Sequence, residues 1–250
     1  MLHQIWFDLS GDGRAAPHVA NSQRLRQLHP GMTYKLWNES DALQLVTTSY
    51  PQYLNMWNTL PVGINRCDVF RYMALHHYGG AYLDLDFRCT QPLTPLLHEG
   101  TVLVGEEWPN SIQTGSLHNG NLYSHTPGHP FWIFLLDEVL RRHTQLRSEG
   151  PQVADIQRQV FKLTGTAVLR DSVLMYWAKG GTDVIVLPYY MLSPLCTIDG
   201  SLMTSYTHPA CTDARLWRLV DTDNLDALES NPIVFTVLVT SAKTWQTGFS

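Results

Sequence analysis

Short apolar segments alternate with helical segments at the start of this 250-residue chain. Leu2–Phe7 and Tyr34–Trp37 have the length and composition of buried strands. Helices are predicted over Pro17–Leu28 and, capped by Asn38 or Ser40, in the segment that follows the second strand. Strands that are joined by helices run parallel in one sheet, with the helices on its faces. The opening of the chain therefore predicts an α/β fold with a mainly parallel sheet.

The composition excludes several classes of protein. Apolar residues make up 44% of the chain and charged residues 16%, which indicates a folded core rather than a disordered chain. Lysine and arginine total 17 against 22 aspartates and glutamates, and the net charge of -5 argues against a nucleic-acid partner. No apolar segment reaches the roughly 18 residues that a membrane span needs, and no signal peptide precedes the first strand. We therefore expect one domain over residues 1–250, in the cytoplasm of a bacterial cell or, for a viral protein, of the host cell.

The four cysteines form no CxxC pair and no cluster with histidine at zinc spacing. A chain of this length can build a hydrophobic core without covalent cross-links, so we interpret them as free, buried thiols. Disulfides and metal ligation are the alternatives. The residues concerned are Cys67, Cys89, Cys196 and Cys211.

The second half of the chain has a less regular pattern. Strands are predicted over Thr101–Glu106, Val184–Leu187 and Pro232–Val239, and helices over Pro130–His143 and Ala167–Ala178. Ser148–Thr166 is weakly patterned, and we interpret it as a surface excursion.

The segment from residue 61 to residue 93 contains the strongest chemical signal. A helix is predicted over Asn65–Tyr78, where apolar residues recur at spacings of three and four, and a strand is predicted over Ala81–Phe87. Alternation along that strand places Tyr82, Asp84 and Asp86 on one face. Burying two carboxylates inside a sheet costs several kcal/mol for each charge. We therefore place both at the carboxyl end of the strand, where an α/β sheet opens onto its ligand crevice.

Paired carboxylates repel each other unless a cation or a basic group lies between them. Oxygen ligands of this kind suit a hard cation such as Mg²⁺ or Mn²⁺. On the preceding helix, Asp68 and Arg71 are three residues apart, and Asn65 lies on the same side. These polar groups approach the carboxylates if the helix packs along the strand. The alternatives are solubilising charges on an edge strand and an ion pair at the helix surface.

The stretch from Asn65 to Asp86 resembles the DXD sugar-binding region of family 32 glycosyltransferases. That family includes yeast-type initiating mannosyltransferases and capsular polysaccharide enzymes, and large clostridial toxin glucosyltransferases share the pattern more distantly. The motif consists of Asp-x-x-Arg-Tyr at residues 68–72 and Gly-Gly-x-Tyr-x-Asp-x-Asp at residues 79–86. Weaker similarities lie at His3-Gln4-Ile5-Trp6, Leu36-Trp37-Asn38, Asn119, Pro127-Gly128-His129-Pro130 and Thr164-Gly165.

The resemblance implies a GT-A fold, which is a Rossmann-like mixed, mainly parallel sheet flanked by helices. It also implies a hexosyltransferase that uses a UDP- or GDP-linked sugar as donor, with Mn²⁺ or Mg²⁺ as the cofactor. The acceptor would be a hydroxyl group on a glycan, as in polysaccharide biosynthesis, and the reaction would retain the anomeric configuration. Two alternatives stay open: a catalytically inactive sugar-nucleotide-binding module and a carboxylate-metal phosphohydrolase.

On the nucleotide side, the resemblance implies that Trp6 stacks on the donor base and that Tyr82 lies near the base or the ribose. Asp84 would contact the ribose or metal-bound water as part of the metal site, and Asp86 would ligate the metal directly. A metal in this place neutralises the charge that develops on the leaving diphosphate.

On the sugar side, the implied binding residues are Asp68 and Arg71, with Asn65 beside them. A carboxylate and a fixed guanidinium discriminate hydroxyl groups by geometry, and Arg71 would also face the diphosphate. The residues implied to act in catalysis are Asp68, Arg71, Asp84 and Asp86.

The chain departs from the family near its end. Family members usually carry a late histidine that completes the metal shell, whereas Thr240–Trp245 of this chain contains no histidine. We expect Trp245 to close over the donor, and His208, Ser241 or water to supply the missing metal ligand. Lys243 is the alternative, as a positive charge beside the diphosphate.

Overall fold

The computed structural model describes residues 1–97, 99–107, 110–149, 156–192 and 235–238. The strands in these residues are β1 (Leu2–Ile5), β2 (Tyr34–Trp37), β3 (Gly80–Leu83), β4 (Phe87–Cys89), β5 (Val102–Glu106), β6 (Leu117–Ser124), β7 (Val184–Leu187) and β8 (Thr236–Leu238). The helices are α1 (Val19–Leu28), α2 (Glu39–Ser49), α3 (Leu54–Asn58), α4 (Gly63–Tyr78), α5 (Ser111–Thr114), α6 (Pro130–Glu149), α7 (Ile156–Leu163), α8 (Thr166–Ala178) and α9 (Tyr189–Leu192).

Six strands form the central sheet, in the order β2-β1-β3-β6-β5-β7. β1 pairs in parallel with β2 and β3, and β5 pairs in parallel with β7. β6 is antiparallel to its neighbours β3 and β5, so it is the reversed strand of these six. The predicted fold class of a mixed, mainly parallel sheet flanked by helices is confirmed. β4 and β8 form a separate antiparallel pair.

Helices pack on both faces of the central sheet. On one face, α4, α6 and α8 form an apolar cluster that includes Phe70, Trp132 and Val173. On the other face, Leu25 of α1 packs in a second cluster with Leu83 of β3. The sheet is therefore buried between two apolar layers, and its strand ends are the places where polar groups reach a cleft.

The helix α4 is buried over most of its surface, because ten of its 16 residues are buried. It contacts β1, β3 and β6, which confirms that this helix packs along the strand that precedes the carboxylates. Asn65, Asp68 and Arg71 are among its buried residues. The interpretation of Asp68 and Arg71 as an ion pair on the helix surface is therefore wrong.

Two elements that carry or directly precede site residues were not predicted from the sequence. β6 contains the polar run His118-Asn119-Gly120-Asn121, which has no apolar alternation that would indicate a strand. α7 lies in Ser148–Thr166, and the interpretation of that segment as a surface excursion is wrong for its described end. Val160 and Leu163 are buried there, because α7 packs against α4, α6 and α8.

Two further predictions from the sequence can be compared with the described residues. Cys67 and Cys89 are free and buried, as predicted, whereas Cys196 and Cys211 lie outside the described residues. Among the helices of the described part of the chain, none has the length and apolar character that crossing a membrane requires. The assignment of residues 1–250 to a single domain stays a prediction.

His3 on β1 is a fully buried, neutral histidine. Its Nδ1 lies 3.1 Å from Trp37 Nε1, which can only donate, so the proton of the imidazole is on Nε2. Nε2 donates to the Gly79 carbonyl oxygen at 2.8 Å. Burial lowers the pKa of His3 to about 4, because a charged imidazolium loses its hydration there.

We expect His3 to make folding sensitive to acid. In the unfolded chain His3 has a pKa of about 6.5 and is protonated below that pH. In the folded chain His3 stays neutral until the pH falls to about 4. Stability therefore falls as the pH drops through this window, by about 1 kcal/mol between pH 7 and pH 5.5. Urea unfolding at several pH values should show a smaller loss in His3→Gln. The exposed His125 provides the control, and an unchanged slope in His3→Gln would contradict the assignment.

Candidate active site

The two carboxylates of the DXD motif lie in a turn at the carboxyl end of β3. The strand ends at Leu83, and Asp84-Leu85-Asp86 turns back, with the Phe87 amide donating to the Asp84 carbonyl oxygen at 3.0 Å. The prediction of one strand over Ala81–Phe87 is therefore wrong beyond Leu83, whereas the placement at the strand end is confirmed. Continuing the strand would bury both charges in the sheet, and the turn instead leaves the Asp84 side chain 34% exposed.

Asp84 is held by groups from three elements. Its amide donates to the Gly120 carbonyl oxygen at 2.7 Å, which continues the pairing of β3 with β6. Its Oδ1 accepts a short hydrogen bond from the Tyr82 hydroxyl and lies 3.5 Å from Arg71 Nη1. The Tyr82 ring itself is buried, with the Arg71 guanidinium carbon 4.8 Å from its centroid. Asp84 thus connects the turn to α4 and to β6.

Asp86 contains the clearest unsatisfied group of the turn. Its Oδ1 is buried and has no hydrogen-bond partner among the described residues. Burial and the negative charge of Asp84 raise the pKa of Asp86 to about 7. A buried carboxylate oxygen without a partner, next to a second carboxylate, fits the ligand set of a divalent cation. No cluster of three or more His, Cys, Asp or Glu residues suited to a metal occurs in the described residues, where Asp84 and Asp86 form a pair of carboxylates.

The backbone of Gly120 approaches the Asp84 carboxylate closely. A Cβ added at Gly120 would lie 2.6 Å from Asp84 Oδ2 and 2.9 Å from His118 Cε1 and Phe87 Cε2. The Gly120 amide donates to Nδ1 of His118 at 3.0 Å, and burial lowers the pKa of His118 to about 4, so this imidazole is neutral. Glycine at this position therefore leaves room for the carboxylate of Asp84.

Asp68 and Arg71 form a buried ion pair next to the turn. Arg71 Nη2 lies 2.9 Å from Asp68 Oδ1, and the two side chains are 4% and 5% exposed. Burial raises the pKa of Asp68, and the Arg71 charge opposes that rise. Burial also works to lower the pKa of Arg71, but the charges of Asp84 and Asp68 raise it overall. Arg71 is therefore a charged, fixed guanidinium that lies between the carboxylates of Asp68 and Asp84.

Asp68 receives two more hydrogen bonds from distant segments. Asn119 Nδ2 donates to Oδ1 at 3.1 Å, and the Thr164 hydroxyl donates to Oδ2 at 2.8 Å. Thr164 accepts in turn from Asn65 Nδ2 at 2.8 Å. Arg71 Nη1 donates to the Asn119 carbonyl oxygen at 2.6 Å. We call Asn65, Asp68, Arg71, Asn119 and Thr164 the Asp68 network.

This region is similar to a known protein family. Residues 17–103 match the family described as a glycosyltransferase sugar-binding region containing a DXD motif. This part of the chain is similar to the DXD glycosyltransferases. The match includes the turn at Asp84-Leu85-Asp86 and the helix that carries Asp68 and Arg71, which are the groups that the structure brings together.

Curated relatives of this chain include two yeast enzymes. Inositol phosphoceramide mannosyltransferase 3 of Schizosaccharomyces pombe is 38% identical over 141 residues, which are 56% of this chain and 37% of that protein. A mannosyl phosphorylinositol ceramide synthase of Saccharomyces cerevisiae is 28% identical over 220 residues, 84% of this chain and 50% of that protein. The chain thus spans half the length of these relatives or less. Among solved structures, PaToxG glycosyltransferase matches with a TM-score of 0.49 and 15% identity, over 97% of this chain and 80% of that chain.

The residues expected to bind the donor and the metal are only partly brought together in the described residues. A connected group is formed by Asn65, Asp68, Arg71, Tyr82 and Asp84, with Thr164 linking Asn65 to Asp68. Asp86 lies next to Asp84 in the turn, close enough for the two carboxylates to repel each other. Trp6 follows the end of β1, is half-buried, and donates from Nε1 to the Arg14 carbonyl oxygen at 3.0 Å. His208, Ser241, Lys243 and Trp245 lie outside the described residues, and so do the roles expected for them.

Asn119 and Thr164 are site residues whose contacts the sequence did not reveal. The only signals for them were the weak family similarities around each residue. Asn119 lies 51 residues from Asp68 along the chain, and Thr164 lies 96 residues from it. A buried acceptor forms hydrogen bonds with donors that the fold brings close to it. Residue spacing along the sequence does not indicate which distant donors these are.

Proposed function

We propose that this chain is a metal-dependent glycosyltransferase that moves a sugar from a nucleotide-diphosphate sugar to a hydroxyl acceptor. The observation that carries the proposal is the DXD turn, which lies next to the Asp68 network. There a buried carboxylate oxygen of Asp86, beside Asp84, has no hydrogen-bond partner in the described part of the chain. The family match supports the sugar-binding part of the proposal. Retention of configuration, a glycan acceptor and a cytoplasmic location stay predictions.

In this proposal, Asp84 and Asp86 hold Mn²⁺ or Mg²⁺. The chemistry that such a cation supplies is neutralisation of the charge on the departing diphosphate. Tyr82 donates to Asp84 and Arg71 lies beside it, so the carboxylate direction of Asp84 is set before any ligand arrives. Preorganised groups of this kind need no rearrangement when charge develops.

Arg71 binds the donor as a fixed positive charge. Its guanidinium is held by Asp68, by the Asn119 carbonyl oxygen and by the face of Tyr82. Asp68 already accepts from three donors, and a carboxylate offers about four lone-pair sites, so one site is left for a sugar hydroxyl. Asp68 thus orients Arg71 and Asn119 and offers the sugar one acceptor.

The register of β8 supports a contribution from the end of the chain. Leu238 pairs with Phe87, so the chain leaves β8 one residue away from Asp86. Lys243 follows five residues later, which gives it a reach of about 18 Å at full extension. We propose that Lys243 lies beside the diphosphate and that Trp245 covers the donor. In a Lys243→Ala variant the affinity for the donor should fall, and an unchanged affinity would remove this role.

A donor panel tests the proposed function. UDP- and GDP-sugars, with GDP-mannose included because both yeast relatives are mannose-transferring enzymes by name, are assayed for hydrolysis and for thermal shift with and without Mn²⁺. We expect one sugar nucleotide to stabilise the protein only with metal and to be turned over. Release of phosphate from compounds without sugar would indicate the phosphohydrolase instead. Binding of a sugar nucleotide with neither transfer nor hydrolysis would indicate the inactive module.

The close approach of Gly120 to Asp84 makes a second test. In Gly120→Ala the new methyl group must displace the Asp84 carboxylate, so we expect Mn²⁺-dependent turnover to fall about tenfold or more, as for other groups that orient metal ligands. Overpacking at such a site costs about 1–3 kcal/mol, which leaves the protein folded. Gly31→Ala is the control, because a Cβ there meets nothing within 4 Å. Full turnover in Gly120→Ala would show that the orientation of the Asp84 carboxylate is not required for activity.

A further inference from the structure

The helix α1 runs alongside the DXD turn and the strand that follows it. Asn21 Nδ2 donates to the Leu85 carbonyl oxygen at 3.1 Å. One turn further along the helix, Arg24 donates to the carbonyl oxygens of Cys89 and Thr90, at 2.8 and 3.2 Å. The turn is thus bonded to a helix that lies 64 residues earlier in the chain and contributes no carboxylate to the site.

The Leu85 carbonyl belongs to the peptide unit that leads into Asp86. That unit is planar, so a hydrogen bond to the carbonyl oxygen also fixes the direction of the Asp86 amide and limits the direction of its side chain. Oδ1 of Asp86 has no hydrogen-bond partner among the described residues, so the backbone is the main restraint on that oxygen. Asp84 differs, because Tyr82 and Arg71 hold its carboxylate directly.

Asn21 is an unexpected residue for its place on α1. Asn21 and Leu25 are the buried residues of this helix, and they are four residues apart on its inner face. A packing role alone would favour an apolar side chain there, because a buried amide is costly unless it forms hydrogen bonds. The hydrogen bond to the Leu85 carbonyl oxygen, at the centre of the DXD turn, therefore explains why Asn21 carries an amide at this position.

We propose that Asn21 is a positioning residue for the cation site. By holding the Leu85 carbonyl, it would orient the Asp86 carboxylate as one of the two carboxylates that would hold the cation. This inference rests on the proposed function, since it requires that the DXD turn binds a divalent cation. Asn21 acts through the backbone, because its amide donates to the Leu85 carbonyl oxygen.

The test measures Mn²⁺ binding alone, from the loss of the free Mn²⁺ signal in electron paramagnetic resonance. Asn21→Leu keeps the size of the side chain and removes the donor, and we expect its dissociation constant for Mn²⁺ to rise about tenfold or more. Arg24→Met is the matched control: it removes hydrogen bonds to the same segment beyond the turn, so it should lower the melting temperature and leave Mn²⁺ affinity unchanged. If Asn21→Leu does not fold, Asn21→Ser provides the same measurement.

The outcomes separate this inference from the proposed function. Wild-type protein that binds Mn²⁺, together with an Asn21 variant that binds it equally well, would overturn the positioning role and leave the function standing. An equal loss in Arg24→Met would also overturn it, because general loosening of α1 would then explain the effect. Wild-type protein that binds no Mn²⁺ would overturn both.

Discussion

Asp86→Asn should abolish turnover of the sugar nucleotide and leave the protein at least as stable as the wild type in the absence of metal. The amide is a poor ligand for a hard cation, so we expect the turnover rate to fall by about 10²-fold or more. The same change removes a desolvated charge next to Asp84, and we expect the free energy of unfolding to rise by about 1 kcal/mol or more. Loss of activity with a gain in stability is the signature of a functional charge.

Two measurements check this result. Turnover is measured with the donor found in the panel and Mn²⁺, and urea unfolding is measured with and without Mn²⁺. Added metal should stabilise the wild type and leave Asp86→Asn unchanged, because only the wild type binds it. Glu99→Gln, which neutralises an exposed carboxylate, is the control. Turnover within tenfold of the wild type would contradict the role of Asp86, and a clear loss of stability would contradict the repulsion argument.

Arg71→Met should both inactivate and strongly destabilise the protein. Removing the guanidinium leaves the Asp68 carboxylate buried without its counter-charge, and breaking a buried ion pair on one side costs about 3–5 kcal/mol. Activity should vanish as well, because the fixed positive charge next to Asp84 is lost. Urea unfolding and donor turnover measure the two effects.

A double variant separates the two roles of Arg71. Asp68→Asn combined with Arg71→Met removes both charges, so we expect it to recover at least half of the lost stability while turnover stays absent. Recovery of stability without activity would mean that the pair is dispensable for folding and required for function. If the double variant is as unstable as Arg71→Met alone, the buried charge of Asp68 is not the cause of the instability.

The run from residue 65 to residue 86 shows how far local patterns extend. Its helix and strand were predicted from apolar spacing, and Asp68, Arg71, Asp84 and Asp86 were recognised there because they are close together in sequence. The structure brings Asp68, Arg71 and Asp84 into contact, with Asp86 in the same turn as Asp84, but it ends the strand at Leu83. The alternation of apolar and polar residues could not predict the end of the strand. The turn is held by hydrogen bonds to Gly120 and Asn21, which lie in other parts of the chain.

The fold class, the family resemblance and the identity of the carboxylates could be predicted from local patterns, because periodic apolar residues and a compact motif are properties of short segments. The way in which these carboxylates are held depends on contacts between distant segments. β6 is too polar to be recognised as a strand, yet it places Asn119 and Gly120 against Asp68 and Asp84. Thr164 and Asn21 reach the site from 96 and 64 residues away. Buried acceptors are satisfied by whichever donors the packing brings near, and this choice is made by the folded chain as a whole.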